Sequence, residues 1–313
     1  MNRRFACSSL LAIAASLGFA FAAPNASAAG TVTVGLAVAN LQADFFNQIK
    51  QSVESYGKQK GVNVITVDAK GDAATQVNQI QDLLTRKIDA LIYIPAGATA
   101  AGVPVRAAKA AGIPVIAVDR NPPDAPGDTF IATDSEAAAQ ALGEWIIKQT
   151  KGHANIAELQ GQLGTTPELA REKGFTKAIS TDPGAKVVTR QPADWAQDKG
   201  FAVAQDMLQR TPDIDVIFGH ADAMALGAAQ AVKVSNVGHK VLIAGFDGDV
   251  AGLKAVRDGV IDVTMTQQTQ RMGRMAVDSA LALIAKKPVP AQQLLPATLT
   301  TKANVAPFIA QHP

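Results

Sequence analysis

Short runs of β-branched and aliphatic residues alternate with longer amphipathic stretches along most of this chain. Such alternation is typical of repeated βαβ units, in which helices connect the strands of a parallel sheet. The predicted strands cover residues 32–38, 62–67, 90–94, 114–118, 156–159, 187–189, 216–219, 241–246 and 263–267. The pattern therefore predicts an α/β fold.

Between these strands, apolar side chains recur at helical spacing. Asp44 is expected to cap the first helix, in which Phe46, Ile49, Val53 and Tyr56 share one face. Further helices are predicted around Val77, Ile80 and Leu84, over residues 101–110, 196–209 and 222–232, after residue 267, and from Thr166 with Pro167 at the first helical position.

The predicted elements form two similar sets, and each set suits a doubly wound domain. No Gly-, Ser- or Pro-rich linker separates the two sets. We therefore expect two lobes that are joined by strand crossings and not by a flexible tether. The segment after residue 267 is expected to return to the first lobe.

The first 28 residues are organised like a secretory signal peptide. Arg3 and Arg4 form a basic segment, residues 10–21 are apolar, and residues 26–28 provide a small-residue cleavage site. A membrane anchor is the weaker alternative, because the apolar run is too short to span a bilayer. We expect an exported protein whose mature chain begins at Ala29.

The cysteine content and the charge balance narrow the function further. Cys7 is the only cysteine and precedes the apolar segment, which argues against a lipoprotein and leaves the mature chain without thiol chemistry. Without Arg3 and Arg4, 27 basic residues balance 27 acidic ones. This balance gives no electrostatic preference for nucleic acid or anionic lipid.

Catalytic signatures are missing from the sequence. It contains no nucleophile elbow, zinc-protease helix, Cys–His arrangement or phosphate-binding loop, and His153, His239 and His312 lack metal-ligand spacing. Asp119 and Asp247 could form a glycosidase-like carboxylate pair, yet each is better explained as an acceptor for hydroxyl groups. We predict a binding protein without cofactor or metal, and no enzyme.

The segment over residues 114–121 points to the ligand class. It is a short apolar run that ends abruptly in Asp119 and Arg120. In open α/β sheets, ligands bind just beyond the carboxyl ends of the strands. A carboxylate beside a guanidinium can accept from and donate to neighbouring hydroxyls, which favours a small polyol as ligand.

Several motifs occur in a specific order along the chain. They are DFF at residues 44–46, VIAVDRN at 115–121, ELQG at 158–161, AREKGF at 170–175, QPADW at 191–195, DAMALGA at 222–228, GFDG at 245–248 and TQ at 266–267. Together they resemble the pentose/hexose class of periplasmic binding proteins, to which the ribose-binding proteins belong. The resemblance covers residues 31–301.

This resemblance implies two Rossmann-like lobes around a ligand cleft, linked by three hinge strands near residues 133–134, 267–268 and 297–298. The first lobe would comprise residues 29–133 with 268–296, and the second would comprise residues 134–267 with 297–313. Lobes of this kind close around the ligand by a hinge motion, and a membrane transporter recognises the closed form.

The implied function is capture of a monosaccharide (a pentose, a deoxy sugar or a related sugar) and its delivery to the permease of an ABC importer by a monomeric protein. Three alternatives stay open: a sugar-type chemotaxis receptor, a quorum-signal receptor and a polyol-binding member of the same class. A sugar-responsive repressor core is disfavoured, because a signal peptide stands where a helix-turn-helix would be required.

The resemblance also assigns ligand contacts. They fall on Phe45, Phe46, Asp119, Arg120, Arg171, Trp195, Asp247 and Gln267. We predict that Ala43, Ala221 and His220 contact the ligand as well. Phe45 lies off the apolar face of its helix, which favours a role in stacking on a sugar, whereas Phe46 also suits core packing. Trp195 stands where the family has phenylalanine, so it preserves stacking and adds an indole donor.

Three positions depart from the family pattern. Ala39, Ala43 and Ala221 stand where ribose-binding members have a serine and two asparagines. An unpaired buried hydroxyl costs roughly 1–3 kcal/mol, so ribose in its usual pose is penalised. Either the ligand lacks hydroxyls there, or neighbouring polar groups reach a ligand of different shape. Those groups are Asn40, Gln42, His220 and Asp222.

Overall fold

The computed structural model of this chain describes residues 31–235 and 237–311. The predicted signal peptide, Cys7 and His312 lie outside the described residues. The strands are β1 (Thr33–Val38), β2 (Asn63–Asp68), β3 (Ala90–Tyr93), β4 (Val115–Val118), β5 (Thr129–Thr133), β6 (Ala154–Gln160), β7 (Ala185–Pro192), β8 (Val216–Gly219), β9 (Leu242–Asp247), β10 (Val263–Thr266), β11 (Gln292–Leu295) and β12 (Thr298–Thr301).

Helices connect most of these strands. They are α1 (Asp44–Gln59), α2 (Ala73–Thr85), α3 (Gly102–Ala110), α4 (Ser135–Thr150), α5 (Thr166–Ile179), α6 (Gln197–Arg210), α7 (Asp222–Val234), α8 (Val250–Asp258), α9 (Thr269–Ile284) and α10 (Ala306–Ala310). Within the described ranges, no helix combines the length and the apolar character that a membrane crossing requires.

The strands form two six-stranded sheets, which confirms the predicted α/β fold with two lobes. The first sheet has the order β11-β5-β4-β3-β1-β2, and its strand pairs are parallel. The second sheet has the order β12-β10-β9-β8-β6-β7, and only the pairing of β12 with β10 is antiparallel. We call the first sheet with its helices the first lobe, and the second sheet with its helices the second lobe.

Both faces of each sheet are covered, which explains why the central strands read as continuous apolar runs. On β3, Leu91 packs towards α2 and α3, whereas its neighbour Ile92 packs towards α1 and α9. On β8, Ile217 and Phe218 likewise belong to two different apolar clusters. Successive side chains of a strand point to opposite faces, so a strand covered on both sides must be apolar throughout.

The chain crosses between the two sheets at three places: between β5 and α4, between β10 and α9, and between β11 and β12. The helix after residue 267, α9, packs against α1, and β11 pairs with β5 of the first sheet. These crossings lie where hinges are expected, and the lobe boundaries themselves stay a prediction.

Two details of the helix starts differ from the predictions. Asp44 is the first residue of α1 and does not cap it, since Ala43 occupies the N-cap position without a side-chain hydrogen bond. Pro167 is the second residue of α5, because the helix begins at Thr166 after Thr165 as N-cap. Its missing N–H is still harmless, because the first turn of a helix has no internal acceptor for that group.

The structure also adds β5, α4, α8 and the short strands β11 and β12, which the periodicity did not reveal. In α4, alanines make up much of the face that packs against α5. Small side chains give little hydropathy contrast, so this helix lacks a clear stripe. The two terminal strands have four residues each, and most of their positions are exposed or only partly buried, which gives them a weak signal.

Candidate functional site

A cavity of about 110 Å³ lies between the two lobes. It is lined by Ala43, Asp44, Phe45, Phe46, Asp119 and Arg120 from the first lobe, and by Pro167, Arg171, Trp195, Ala221, Ala223, Asp247 and Asp249 from the second. A single water needs about 10–15 Å³ of such space, so the cavity holds on the order of ten non-hydrogen atoms, the size of a monosaccharide.

The carboxyl end of β4 supplies an acidic and a basic side chain. Asp119 adopts a left-handed backbone conformation with φ 62°, and its N–H donates to the Ile131 carbonyl at 2.9 Å. The Arg120 guanidinium donates to the carbonyls of Pro95 at 2.9 Å and Ala96 at 3.2 Å, which fixes its direction. Its Nε lies 3.6 Å from the Asp119 carboxylate. Burial raises the pKa of Asp119, although Arg120 opposes that shift.

A second ion pair faces the cavity from the other lobe. Arg171 is buried on α5, donates to the carbonyl of His220, and lies 3.3 Å from Oδ1 of Asp247. The amide of Gln267 donates to the same oxygen at 2.7 Å. Burial raises the pKa of Asp247 to about 7, against the lowering effect of Arg171 and with a further increase from Asp249.

Three aromatic rings border the two ion pairs. Phe45 and Phe46 meet edge to face with ring centroids 5.3 Å apart. The Arg120 guanidinium lies 5.3 Å from the Phe46 ring and 5.8 Å from the Trp195 ring. Arg171 lies 5.4 Å from the Trp195 ring. The cations and the rings therefore hold one another in place, and the rings offer flat apolar surface to a ligand.

Three buried donors of the cavity-lining residues have no hydrogen-bond partner within the described part of the chain. They are Nε of Arg120, Nε of Arg171 and Nε1 of Trp195. Buried polar groups are normally hydrogen-bonded, so such donors at a cavity indicate a ligand that accepts from them. Together with the nearby carboxylate acceptors, they suit a molecule whose hydroxyl groups both donate and accept.

Nine of the predicted contact residues line the cavity: Ala43, Phe45, Phe46, Asp119, Arg120, Arg171, Trp195, Ala221 and Asp247. Gln267 does not; it lies behind Asp247 and accepts from the Thr133 hydroxyl at 2.5 Å. His220 does not either. Its fully buried ring lies 3.3 Å from the Glu158 carboxylate, inside the second lobe.

The neighbours expected to replace the missing polar side chains also stay outside the cavity lining. Asn40 and Gln42 are absent from that lining, and Ala39 is buried beside them. Asp222 is buried below the site, where it accepts from the backbone N–H of Gly248 at 2.8 Å and from the Thr264 hydroxyl at 2.6 Å. These bonds hold the turn that follows Asp247.

Two acidic residues of the cavity, Asp44 and Asp249, were not predicted as ligand contacts from the sequence. Asp44 had a local explanation as a helix cap. Asp249 does cap α8, since its side chain accepts from the Gly252 N–H at 2.6 Å, but it lines the cavity as well. Oδ2 of Asp44 accepts from the N–H of Val250, in the other lobe, at 3.1 Å. Only the packing of the lobes reveals this.

Residues 34–288 match the family model described as the periplasmic binding protein domain. The chain belongs to this family. It is 33% identical over 270 residues to the ribose import binding protein of Bacillus subtilis. The aligned region covers 86% of this chain and 87% of that protein. Members of the family are solute-binding proteins and not enzymes, and the family places this protein in the periplasm.

Solved structures give the same result. An ABC transporter solute binding protein from Bacillus halodurans with bound myo-inositol has a TM-score of 0.85 at 26% identity, over 90% of this chain and 99% of that one. The binding protein of the arabinose ABC transporter from Shewanella, bound to L-arabinofuranose, has a TM-score of 0.82 at 29% identity, over 90% of this chain and 95% of that one.

Proposed function

We propose that this protein captures a monosaccharide between its lobes and delivers it to an ABC importer. The observation that carries the proposal is the composition of the cavity wall. Rings of Phe45, Phe46 and Trp195 stand beside the Asp119–Arg120 and Arg171–Asp247 pairs. A sugar has an apolar C–H face for the rings and adjacent hydroxyls for the charged side chains, so this wall matches it on both counts.

The relatives support the same ligand class without fixing the ligand. Their names and bound molecules are ribose, myo-inositol and L-arabinofuranose. These molecules share small size and several hydroxyl groups, but differ in ring size and in the number of those groups. The ligand of this protein is therefore proposed at the level of a pentose, a deoxy sugar or a related sugar or polyol.

Contacts between the lobes support capture by closure. The hydroxyl of Thr166 on α5 accepts from the N–H of Asn121 at 3.0 Å and donates to its carbonyl at 3.2 Å. Nη1 of Arg120 lies 3.4 Å from the Gln162 side-chain oxygen across the same gap. We propose hinges near residues 133–134, 267–268 and 297–298, and a permease that recognises the closed lobes.

Export and assembly complete the proposal. A signal peptide over residues 1–28 would be removed to give a mature chain from Ala29, and the protein would act as a monomer. Deletion of the gene tests the partner. Loss of growth on the sugar with intact taxis supports an importer, and loss of taxis alone would assign the protein to a chemoreceptor.

Ribose is a poor match for this cavity wall. Ala43 and Ala221 line it, and the polar side chains of Asn40, Gln42, His220 and Asp222 do not. We therefore expect a deoxy sugar, or another ligand that needs no partner at these two positions, to bind better than ribose.

A thermal-shift screen of the purified protein tests this function. Pentoses, hexoses, deoxy sugars, branched sugars and polyols form the panel, because ligand binding to the folded state raises the melting temperature by mass action. A shift with one member identifies the sugar. A shift strongest with ribose contradicts the argument from the alanines. No shift with any member contradicts the sugar function itself.

A further inference from the structure

The cavity between the lobes contains more acidic than basic side chains. Asp44, Asp119, Asp247 and Asp249 line it, against Arg120 and Arg171. Each arginine lies against one acid, Arg120 at 3.6 Å from Asp119 and Arg171 at 3.3 Å from Asp247. Both arginines of the wall are thus paired with other acids, so neither of them compensates the negative charge of Asp44.

Asp44 lies at the point where the two lobes meet. Its Oδ2 accepts from the Gln48 side chain at 2.8 Å and from the Val250 N–H at 3.1 Å. Within the described part of the chain, no lysine, arginine or histidine comes within ion-pair distance of its carboxylate. Val250 follows Asp249, so an acid from each lobe borders the same end of the cavity.

Enclosed carboxylates repel one another strongly, because the interior screens charge less than water does. The effect is visible at Asp247, whose pKa is raised by burial and also by the neighbouring Asp249. Asp44 is partly buried and borders the same end of the cavity as Asp249. A positively charged ligand group there would be attracted to both carboxylates when the lobes close, whereas a neutral hydroxyl would not.

The part of the wall formed by Arg120 and Arg171 offers hydrogen-bond donors instead of acceptors. Arg120 and Arg171 are 5% and 2% exposed, and the Nε of each is buried and makes no hydrogen bond within the described residues, although the Nε of Arg120 lies 3.6 Å from the Asp119 carboxylate. These donors require oxygen acceptors, such as sugar hydroxyls. The wall is therefore complementary to a ligand with hydroxyl oxygens beside the arginines and a positive charge beside Asp44.

We propose that the ligand is an amino sugar or amino polyol whose ammonium group lies against Asp44 while its hydroxyl groups contact Arg120 and Arg171. The inference rests on the proposed function and narrows its ligand class. A charge-assisted hydrogen bond to a carboxylate replaces a neutral one, and its extra strength is expected to favour the amino compound about ten-fold or more.

Isothermal titration calorimetry with matched ligand pairs tests this inference. The pairs are glucosamine with glucose, galactosamine with galactose, an amino-deoxy pentose with its parent pentose, and amino-inositol with inositol. N-acetylglucosamine provides a ligand control, because it keeps the nitrogen and loses the charge. We expect the amino member of at least one pair to bind about ten-fold more tightly than its neutral partner, and the acetylated compound to lose this advantage.

The substitution Asp44→Asn connects the preference to this side chain. Asparagine keeps an oxygen that can accept from the Val250 N–H, but removes the charge. We expect the ratio of amino to neutral affinity to fall about ten-fold in this variant. Asp82→Asn removes a charge from an exposed ion pair with Arg86 and is the matched control, in which the ratio stays unchanged.

The outcomes separate this inference from the broader proposal. If no amino compound binds more tightly than its neutral partner, or if the ratio is unchanged in Asp44→Asn, the amino-ligand inference is overturned and the sugar function stays intact. Failure of every compound in the panel to bind overturns both. A preference for the amino compound that disappears in Asp44→Asn supports the inference.

Discussion

Asp247 lines the cavity, and its buried carboxyl also makes the stability of the fold depend on pH. Burial raises the pKa of its carboxyl to about 7. Between its unfolded value, about 4, and this folded value, the folded state holds more protons than the unfolded state. This carboxyl therefore contributes stability that is present at acidic pH and is lost as the pH rises through 7.

The variant Asp247→Asn should remove this pH dependence, because an amide does not titrate. Relative to the unsubstituted protein, we expect its free energy of unfolding to increase between pH 5 and pH 8. Urea titrations at several pH values measure the difference. Glu168, whose pKa is also raised to about 7, remains in both proteins and cancels in the comparison.

Asp124→Asn is the matched control. Asp124 forms an ion pair with Arg106 on the surface, where its carboxylate is much more exposed to water than that of Asp247. A stability difference between Asp247→Asn and the unsubstituted protein that stays constant from pH 5 to pH 8 would contradict the assignment of the raised pKa to this residue.

The position of the Trp195 ring depends on a glycine in another element. Gly161 follows β6, and a Cβ at this position would overlap the six-membered part of the Trp195 indole. Gly161→Ala must therefore push the ring from its place beside Arg120 and Arg171. Because both arginines lie within 6 Å of this ring, we expect ligand affinity to fall about ten-fold or more.

Calorimetric titration with the sugar found in the screen measures this loss, and a thermal melt of the same variant reports its folding. Gly238→Ala is the control, because a Cβ there meets no atom within 4 Å. Unchanged affinity in Gly161→Ala would show that the indole is not required where the structure places it.

The sequence predicted elements best where both faces of a strand are buried. The runs at β3, β4 and β8 are apolar throughout, and the polar residues Asp119 and His220 directly follow β4 and β8. Periodicity did not reveal α4, since alanines on its packed face blur the stripe. The same limit applies to β12, whose place in the sheet comes from pairing with β10 and not from its own pattern.

At the scale of the whole molecule, the site was predictable only as far as each residue has a local or family signature. Asp119 and Arg120 directly follow an apolar strand, and this position alone predicts that they line the cavity. Asp44 and Asp249 begin or cap helices, which explains them locally and hides their second role. Their common position at one cavity arises from the packing of two lobes, which no local pattern encodes.

Closure itself can be tested at Thr166. Its hydroxyl makes two hydrogen bonds to the backbone of Asn121 in the opposite lobe, and both must break when the lobes separate. Thr166→Val keeps the shape of the side chain and removes both bonds. Each bond contributes about 0.5–1.5 kcal/mol, so the closed state should become less populated and the dissociation constant should rise about ten-fold.

Stopped-flow binding and small-angle scattering with saturating sugar check this expectation: dissociation should be faster, and the averaged radius of gyration larger, than in the unsubstituted protein. Thr150→Val is the matched control, because the hydroxyl of Thr150 bonds to the Ile146 carbonyl of its own helix at 3.0 Å and is not involved in closure. If Thr166→Val and Thr150→Val release the sugar at the same rate, the Thr166 contact does not stabilise the closed form, and closure must depend on the ligand and the remaining contacts between the lobes.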